Sequence, residues 1–456
     1  MVVLNPLKYH FVCDDLACLD NSERAKTPKP KSRLKLLYLM ATGWAYWKDE
    51  AFSAHLISIC IHLVASFLVF WVFGHNTVSL LAAVLFLLHP ASTEISIWMS
   101  AKYYGYATIL VLLAWDFPIL TPLIFLDPAR LAVTALFSPL IFLARSDWLS
   151  ILALFSVWMV YRQSKIIFNP EKNGKLMAYS KNKVAMKTDF WKFIIALKFY
   201  GYYLVNNVLG LHYGFYQSYM DDFIDTQEGI KKSHRLDIFF FVGLATITFL
   251  IISIRLIQTN LAIFGLFWAT IHIAQFCNFI NTGQQYISNR YYYLANVGLC
   301  LTLASVLIQY PFLAGLAVAN YIRQLIPSIR QFENVYWHFF YQIVDEPEFY
   351  YSWINMGNLH FNRGHFKEAM GDYQQALILR PNNFKVYFNL SSAWIAIGKI
   401  DKAVACLEVA RKADVFGQEE RATQIIKDRM QLINKIVVSR GELLKTLKTS
   451  DVPVVA

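Results

Sequence analysis

Long apolar runs without charge constrain this chain more than any other feature. The first extends from Phe52 to Phe73 and contains no charged residue. Because about 20 apolar residues in a helix span the hydrocarbon core of a bilayer, such runs are typical of membrane helices. Further apolar segments lie at about 78–88, 103–117, 118–144, 148–161, 190–209, 238–254, 259–280 and 294–322. They predict an all-α, polytopic transmembrane bundle of about eight to ten helices over residues 51–322.

The composition supports a multi-pass integral membrane protein and argues against other classes. Of the 456 residues, 56% are hydrophobic and only 16% are charged, which excludes a soluble enzyme, a disordered chain and a fibrous repeat. The 42 Lys and Arg residues exceed the 31 Asp and Glu residues, giving a net charge of +11. Such an excess in a membrane protein marks loops that face the cytoplasm or anionic lipid. No nucleic-acid-reading motif accompanies it, so we expect membrane lipid rather than nucleic acid as a partner.

Shifts in composition divide the chain into five parts. Residues 1–50 are polar and mixed in charge, and we interpret them as an N-terminal loop region ahead of the bundle. After residue 322 the charges return and the apolar runs stop, which indicates a linker over 323–346. We expect a small helical domain over 347–415, followed by a capping helix and tail over 416–456.

The small helical domain carries an internal repeat. One set of residues has the spacing of a helix-turn-helix unit of about 34 residues: Trp353, Gly357, Gly364, Ala369, Tyr373, Ala376 and Pro381. A second unit repeats part of the set at Tyr387, Gly398, Ala403 and Ala410. The pattern resembles the tetratricopeptide repeat, whose stacked units form a concave surface that binds other proteins. The residues that we expect to bind a partner are Trp353, Asn355, Tyr387 and Asn389. A packing spacer is the alternative interpretation.

Two adjacent carboxylates stand in the N-terminal region, within the segment FVCDDLACLDN. Asp14 and Asp15 could bind a divalent cation, or one of them could act as a base whose proton affinity is raised by its neighbour. The alternative is a solvated acidic loop.

Two further polar clusters flank apolar runs. His89, Glu94 and Lys102 lie in LHPASTEISIWMSAKYYGY, at the end of a predicted spanning helix, where polar residues often line a cavity. Arg290 lies among tyrosines in YISNRYYYLANVGL, where it could bind a lipid phosphate. The alternatives are a helix end that reaches the interface and an aromatic belt with a snorkelling arginine.

The order of these motifs resembles one family. The segments FVCDDLACLDN, FSAHLISICIHLV, LFLLHPASTEISIW and NRYYYLANVGLCL, followed by tetratricopeptide repeats, are similar to the transmembrane-and-tetratricopeptide-repeat O-mannosyltransferases and their bacterial relatives. The resemblance implies a C-type glycosyltransferase fold in an integral membrane protein. We expect its membrane to be that of the endoplasmic reticulum, the bacterial inner membrane or the membrane of another organelle. It also implies a polyprenyl-phosphate sugar, with mannose expected, as the donor for a protein or glycan acceptor.

The resemblance assigns roles to the polar clusters. Asp14 or Asp15 is the implied catalytic carboxylate or metal ligand, Glu94 and His89 shape the pocket, and Arg290 holds the carrier phosphate. We place Lys102 with this carrier-binding group. Family members carry a spanning helix before the acidic pair, whereas only MVVLNPLKYH precedes Phe11 here. A non-catalytic scaffold or assembly subunit that keeps the fold is therefore the alternative, and enzymatic activity stays open.

Overall fold

The structure is a computed structural model in which every regular element of the described residues is a helix. It describes residues 51–98, 101–117, 120, 138, 141, 189–211, 236–274, 276–277, 288–413, 423–431, 433–435 and 438–439. The predicted helical fold class is confirmed over these ranges. The chain divides into two compact units, Met1–Glu346 and Pro347–Ala456.

The first unit contains ten α-helices within its described residues. They are α1 Ala51–Val72, α2 Thr77–Leu88, α3 Thr93–Ile97, α4 Lys102–Asp116, α5 Asp189–Leu209, α6 Ile238–Ile252, α7 Leu261–Ala274, α8 Tyr293–Leu307, α9 Pro311–Arg330 and α10 Val335–Asp345. Short 3-10 turns cover Pro90–Ser92, Ile254–Leu256 and Asn289–Tyr292.

The first two helices form the hairpin expected from the sequence GHN. Gly74 and His75 both take positive φ angles, which turn the chain after α1. Asn76 then caps α2, because its side chain accepts a hydrogen bond from the Ser79 amide while the Ser79 hydroxyl accepts one from the Asn76 amide. Pro90 ends α2, and the chain bends by 61° between Thr77–Leu88 and Pro90–Ile97.

Histidines inside the apolar helix α1 tie it to its neighbours. His55 donates from Nδ1 to the Ile97 carbonyl at 2.7 Å. His62 accepts from the Tyr293 hydroxyl at Nδ1, at 2.8 Å, and donates from Nε2 to the Leu87 carbonyl at 3.1 Å. These bonds satisfy carbonyls at the ends of α2 and α3 that their own helices leave without a partner.

Glycines allow two pairs of helices to approach until their backbones touch. A Cβ atom on Gly201 of α5 would lie 1.9 Å from the Phe239 carbonyl oxygen, and one on Gly243 of α6 would lie 2.3 Å from that of Leu197. Helices α7 and α8 meet in the same way at Gly265 and Gly298. Close crossing through small residues is common where helices pack in lipid.

Side chains of α9 cap the end of α5. The Tyr321 hydroxyl lies 3.1 Å from the carbonyl oxygens of both Asn207 and Val208. The side-chain amides of Asn320 and Gln324 donate to the carbonyls of Leu209 and Leu211, respectively. The terminal carbonyls of α5, which a helix end leaves without partners in its own helix, are therefore paired within the protein.

Helix α9 buries several polar residues and exposes apolar ones. Tyr321, Gln324 and Ser328 are buried, whereas Phe312 is 76% exposed and its apolar neighbours on the helix are also exposed, together with Arg323. The exposed apolar part is compatible with membrane association.

Two helices among the described residues are long and apolar enough to cross a membrane, at His55–Val72 and Pro311–Arg330. The bent pair Thr77–Leu88 and Pro90–Ile97 makes a third if it is one broken span. This number is smaller than the eight to ten crossings predicted from the whole sequence. Other apolar helices, such as the 14-residue α7, are shorter than the roughly 20 residues that a crossing needs. By their length and composition, the described helices are compatible with membrane association.

Two boundaries differ from the sequence interpretation. The apolar segment at 294–322 is two helices, because α8 ends at Leu307 and Pro311 starts α9. Residues 323–346 were expected to be a linker, yet α9 continues to Arg330 and α10 occupies Val335–Asp345. Within this range Gln324 donates to the Leu211 carbonyl beyond the end of α5, and Ser328 donates to the Pro90 carbonyl. Most of 118–161 and the basic loop after it lie outside the described residues.

The second unit contains the repeat. Its helices are α11 Tyr350–Asn362, α12 Phe366–Leu379, α13 Phe384–Ala396 and α14 Ile400–Lys412. Gly364 and Gly398 take left-handed φ angles of 79° and 81° at the turns inside the two units. Residues 423–431 are also helical, and Ile426 packs with Leu407 of α14.

Candidate functional site

The candidate site of the first unit forms around Glu94. The bend at Pro90 and the short helix α3 place this carboxylate inside the protein, where the side chain is 3% exposed. Its partners come from the segment that leads into α8, in the 3-10 turn at Asn289–Tyr292 and the residue before it. Two of the three polar clusters recognised in the sequence therefore meet here.

Arg290 and Ser288 bind the Glu94 carboxylate. Arg290 donates from Nη1 to Glu94 Oε2 at 3.2 Å and to the Ser288 hydroxyl oxygen at 2.6 Å. The Ser288 hydroxyl lies 3.3 and 3.2 Å from the two Glu94 oxygens. The backbone of Arg290 also hydrogen-bonds to the carboxylate. Glu94 and Arg290 are 196 residues apart in the chain, so only the tertiary fold brings them together.

Aromatic rings hold the Arg290 guanidinium in place. Its Cζ atom lies 5.0 Å from the centroid of the Trp98 ring and 4.7 Å from that of Tyr291, distances at which a cation is attracted to a ring face. Arg290 also donates from Nη2 to the Tyr291 hydroxyl at 3.1 Å. Burial raises the pKa of Tyr291, with the nearby Arg290 opposing the shift, so the tyrosine stays neutral. The Phe276 ring stacks on that of Tyr291, with the ring centroids 4.9 Å apart.

The chemical capacity of this cluster is anion binding. A carboxylate and a guanidinium removed from water stabilise each other only if further donors and acceptors satisfy both groups. Here the hydroxyl of Ser288 and the backbone of Arg290 supply those extra hydrogen bonds. Any oxyanion that replaced the carboxylate would meet the same donors. The Arg290 side chain is 12% exposed, against 3% for that of Glu94.

His89 has backbone partners on both ring nitrogens. Nδ1 accepts from the Ala91 amide at 3.1 Å, and Nε2 donates to the Asn207 carbonyl at 2.8 Å. These bonds fix the bend after α2 and link it to the end of α5. Lys102 is the first residue of α4 and is 1% exposed. The predicted roles of His89 and Lys102 in carrier binding stay predictions.

Asp14 and Asp15 lie outside the described residues. The predicted catalytic carboxylate and the divalent-cation site therefore stay predictions as well. Within the described ranges there is no group of three or more His, Cys, Asp or Glu residues that could hold a metal ion.

In the second unit, polar groups of the two repeats converge on Asn358. Its side-chain oxygen accepts from the Tyr373 hydroxyl at 2.7 Å and from the side-chain amide of Asn389 at 2.8 Å. Asn389 is one of the predicted partner-binding residues, so part of its hydrogen-bonding capacity is used between helices α11 and α13. Asn389 is half-buried.

The other predicted groove residues are also half-buried. The Trp353 indole donates to the Pro347 carbonyl at 2.8 Å, and Tyr387 packs with the core around α14. Asn355 lies on α11. Close by, His360 and Asp372 join α11 to α12 at 2.7 Å. Burial raises the pKa of Asp372, and the hydrogen bond from His360 works against that rise.

Sequence reasoning missed four residues that the structure places at these sites. Ser288 and Tyr291 flank Arg290 directly, so their position in the chain was a usable signal. Trp98 stands four residues after Glu94, on the same side of a helical turn. No local sequence pattern pointed to Asn358, because its hydrogen-bond partners come from two other helices.

The comparison with known protein families identifies the repeat. Residues 350–383 match the tetratricopeptide repeat. The predicted repeat is confirmed over its first unit, in which Gly357 leaves room for the Tyr373 ring: a Cβ atom there would lie 2.5 Å from it. Tetratricopeptide repeats generally mediate protein–protein interaction, which is consistent with a protein partner. No curated protein matches the chain, and no solved structure matches it.

Proposed function

We propose that this protein is a multi-pass membrane glycosyltransferase. It transfers a sugar, with mannose expected, from a polyprenyl-phosphate carrier to a protein or glycan acceptor, as in the O-mannosyltransferase family that its motifs resemble. Its membrane is the endoplasmic reticulum membrane or a bacterial inner membrane. The tetratricopeptide repeat binds the acceptor or a partner protein.

One observation carries the proposal. Glu94 and Arg290 were selected from separate sequence clusters, and they lie in contact at 3.2 Å in a largely buried site walled by aromatic rings. Glycosyl transfer from a lipid phosphate needs a cation for the phosphate leaving group, placed where little water screens it. Arg290 meets this requirement.

The proposed reaction is a single displacement. An acceptor hydroxyl attacks the anomeric carbon of the sugar while the bond from that carbon to the phosphate oxygen breaks. Asp14 or Asp15 takes the hydroxyl proton. These two carboxylates would also hold a divalent cation, which would supply positive charge beside the reacting groups. The carrier leaves as polyprenyl phosphate, whose charge Arg290 neutralises. Glu94, His89 and Lys102 complete the pocket.

The test is sugar transfer by membranes that contain the full chain. Labelled mannose on polyprenyl phosphate is the donor, and label on protein or glycan is measured. We expect Asp15→Asn to reduce transfer by about 10²–10⁴-fold through loss of the base. Arg290→Gln should reduce it by about 10²–10³-fold through loss of leaving-group stabilisation.

The control is Asp237→Asn, which also removes one charge from the first unit. Asp237 pairs with Lys198 at 3.0 Å and caps α6. Asparagine keeps the cap and loses the charge of the ion pair, so the variant matches the others in removing a charge from an ion pair or carboxylate group. Transfer should be unchanged in this variant. Equal transfer by wild type, Asp15→Asn and Arg290→Gln, or none by wild type with any labelled donor sugar, would refute the enzyme proposal.

A non-catalytic scaffold is the second candidate, and it is favoured by a specific observation. The family match falls on the protein-binding repeat rather than on the helical unit. A scaffold would be isolated with a stoichiometric protein partner, and Asn389→Ala should release that partner. Gln375→Ala, at an exposed position of α12, is the control that should retain it. Partner release without any transfer activity would favour the scaffold over the enzyme.

A further inference from the structure

The donors around Glu94 form an oxyanion site that the chain fills with its own carboxylate. Ser288 Oγ and Arg290 Nη1 both point at the carboxylate, at 3.2 Å from Oε2. The Arg290 backbone adds a third hydrogen bond. Phosphate oxygens accept from the same kinds of donor as carboxylate oxygens do, and arginine binds both anions.

Arg290 does not depend on Glu94 alone for its position. Its guanidinium lies over the Trp98 and Tyr291 rings and donates to the Tyr291 hydroxyl. It also donates to Ser288, at 2.6 Å. These contacts hold the cation and the hydroxyl in place if the carboxylate moves away.

Glu94 can leave the donors by rotation of its side chain, without movement of its helix. Helix α3 has five residues and is held at both ends, because the Ser92 hydroxyl donates to the Phe86 carbonyl at 3.2 Å and His55 donates to the Ile97 carbonyl at 2.7 Å. Rotation of the Glu94 side chain alone would free one position among the donors.

We propose that Glu94 is a built-in competitor for the lipid phosphate. Its carboxylate keeps Ser288 and Arg290 arranged for an oxyanion, and the phosphate of an isoprenoid lipid binds by displacing it. Ser288 is then a second phosphate ligand beside Arg290. The inference rests on the proposed function, since it concerns the carrier of that reaction, but it is tested by binding without sugar transfer.

The experiment measures binding of farnesyl phosphate to the purified full chain in detergent. Glu94→Gln removes the competing charge and keeps the shape of the side chain, so we expect about tenfold tighter binding than in wild type. Arg290→Gln should abolish binding, and the double variant should stay unable to bind. Ser288→Ala should weaken binding about tenfold through loss of one hydrogen bond to the charged group.

Three comparisons make the result specific. Asp237→Asn removes a carboxylate from another ion pair of the same unit and should leave the affinity unchanged. Farnesol, which lacks the phosphate, should not compete. Inorganic phosphate should bind far more weakly than farnesyl phosphate, and equal binding of the two would overturn the assignment to a lipid.

Stability gives a second measurement, since Glu94→Gln leaves Arg290 without its counter-charge. We expect a lower unfolding temperature for this variant and a larger rise with farnesyl phosphate than in wild type. If it does not fold alone, Glu94→Asp, which withdraws the carboxylate by one methylene, should also bind the probe more tightly than wild type. Weaker or unchanged binding by the folded variant would overturn the competitor role. If wild type and the variants bind farnesyl phosphate as expected but wild type transfers no sugar, only the proposed reaction would be refuted.

Discussion

Substitution of Gly298 by alanine tests the backbone contact between helices α7 and α8. A Cβ atom on Gly298 would lie 2.3 Å from the Gly265 carbonyl oxygen and 2.7 Å from both the Ala269 nitrogen and Trp268 Cβ. None of these atoms is the end of a flexible side chain, so none can move aside alone. Helices α7 and α8 would have to separate instead.

The expected cost follows from the distances. An ordinary contact needs about 3.4 Å, so the helices must separate by roughly 1 Å, which forfeits much of the dispersion energy along their interface. Overpacking of this kind costs about 3 kcal/mol. Alanine regains about 1 kcal/mol because it is the better helix former. We therefore expect Gly298→Ala to lower the free energy of unfolding by about 2 kcal/mol.

The assay is thermal unfolding of the purified full chain, followed by intrinsic fluorescence. Gly315→Ala is the matched control, because Gly315 also lies inside a helix but a Cβ there would meet nothing within 4 Å. The control should unfold at a slightly higher temperature than wild type, and Gly298→Ala at a lower one. If both variants shifted upward by the same amount, α7 and α8 could not be in backbone contact at this point.

Two further predictions concern pH and the repeat. Burial lowers the pKa of His338 from 6.5 to about 4, and a hydrogen bond to the Gln331 backbone opposes this shift. Between pH 6.5 and about pH 4, the imidazole is therefore protonated in the unfolded chain and neutral in the folded chain. The contribution of His338 to the free energy of unfolding is therefore present above pH 6.5 and falls by about 2 kcal/mol between pH 7.5 and pH 5. The melting temperature of wild type should fall more steeply with decreasing pH than that of His338→Gln. An equal fall in both proteins would contradict the prediction. Asn358→Ala removes the shared acceptor of two hydrogen bonds and should destabilise the repeat by about 1–2 kcal/mol. Faster amide exchange in α11–α13 would show it, with the exposed Asn382→Ala as control; unchanged exchange in both would count against it.

Much of the helical architecture could be predicted because helix formation depends on local pattern. The apolar run beginning at Phe52 closely matches α1, and the spacing from Trp353 to Pro381 predicted a repeat that the family comparison confirms. Capping and turn residues added detail: the GHN turn and Pro90 each end a helix where expected. These features need only residues within one or two helical turns of each other.

Residues 323–346 were expected to be a linker because charges return and the apolar runs stop there. Most of this stretch is helical in the structure. Gln324 and Ser328 are buried, and they donate hydrogen bonds to the Leu211 and Pro90 carbonyls. A polar residue can be buried where a carbonyl elsewhere in the fold needs a hydrogen-bond donor. The sequence does not reveal which carbonyls need one.

The sequence by itself determined that this chain is helical, that its helices are strongly apolar, and that its last part contains a tetratricopeptide repeat. Local spacing is enough for such features. The tertiary structure alone decided that Glu94 meets Ser288 and Arg290 between aromatic rings, and that Asn358 joins two repeats. A contact across 196 residues depends on how whole helices pack, and backbone approaches such as that of Gly265 and Gly298 fix this packing without leaving a local pattern to read.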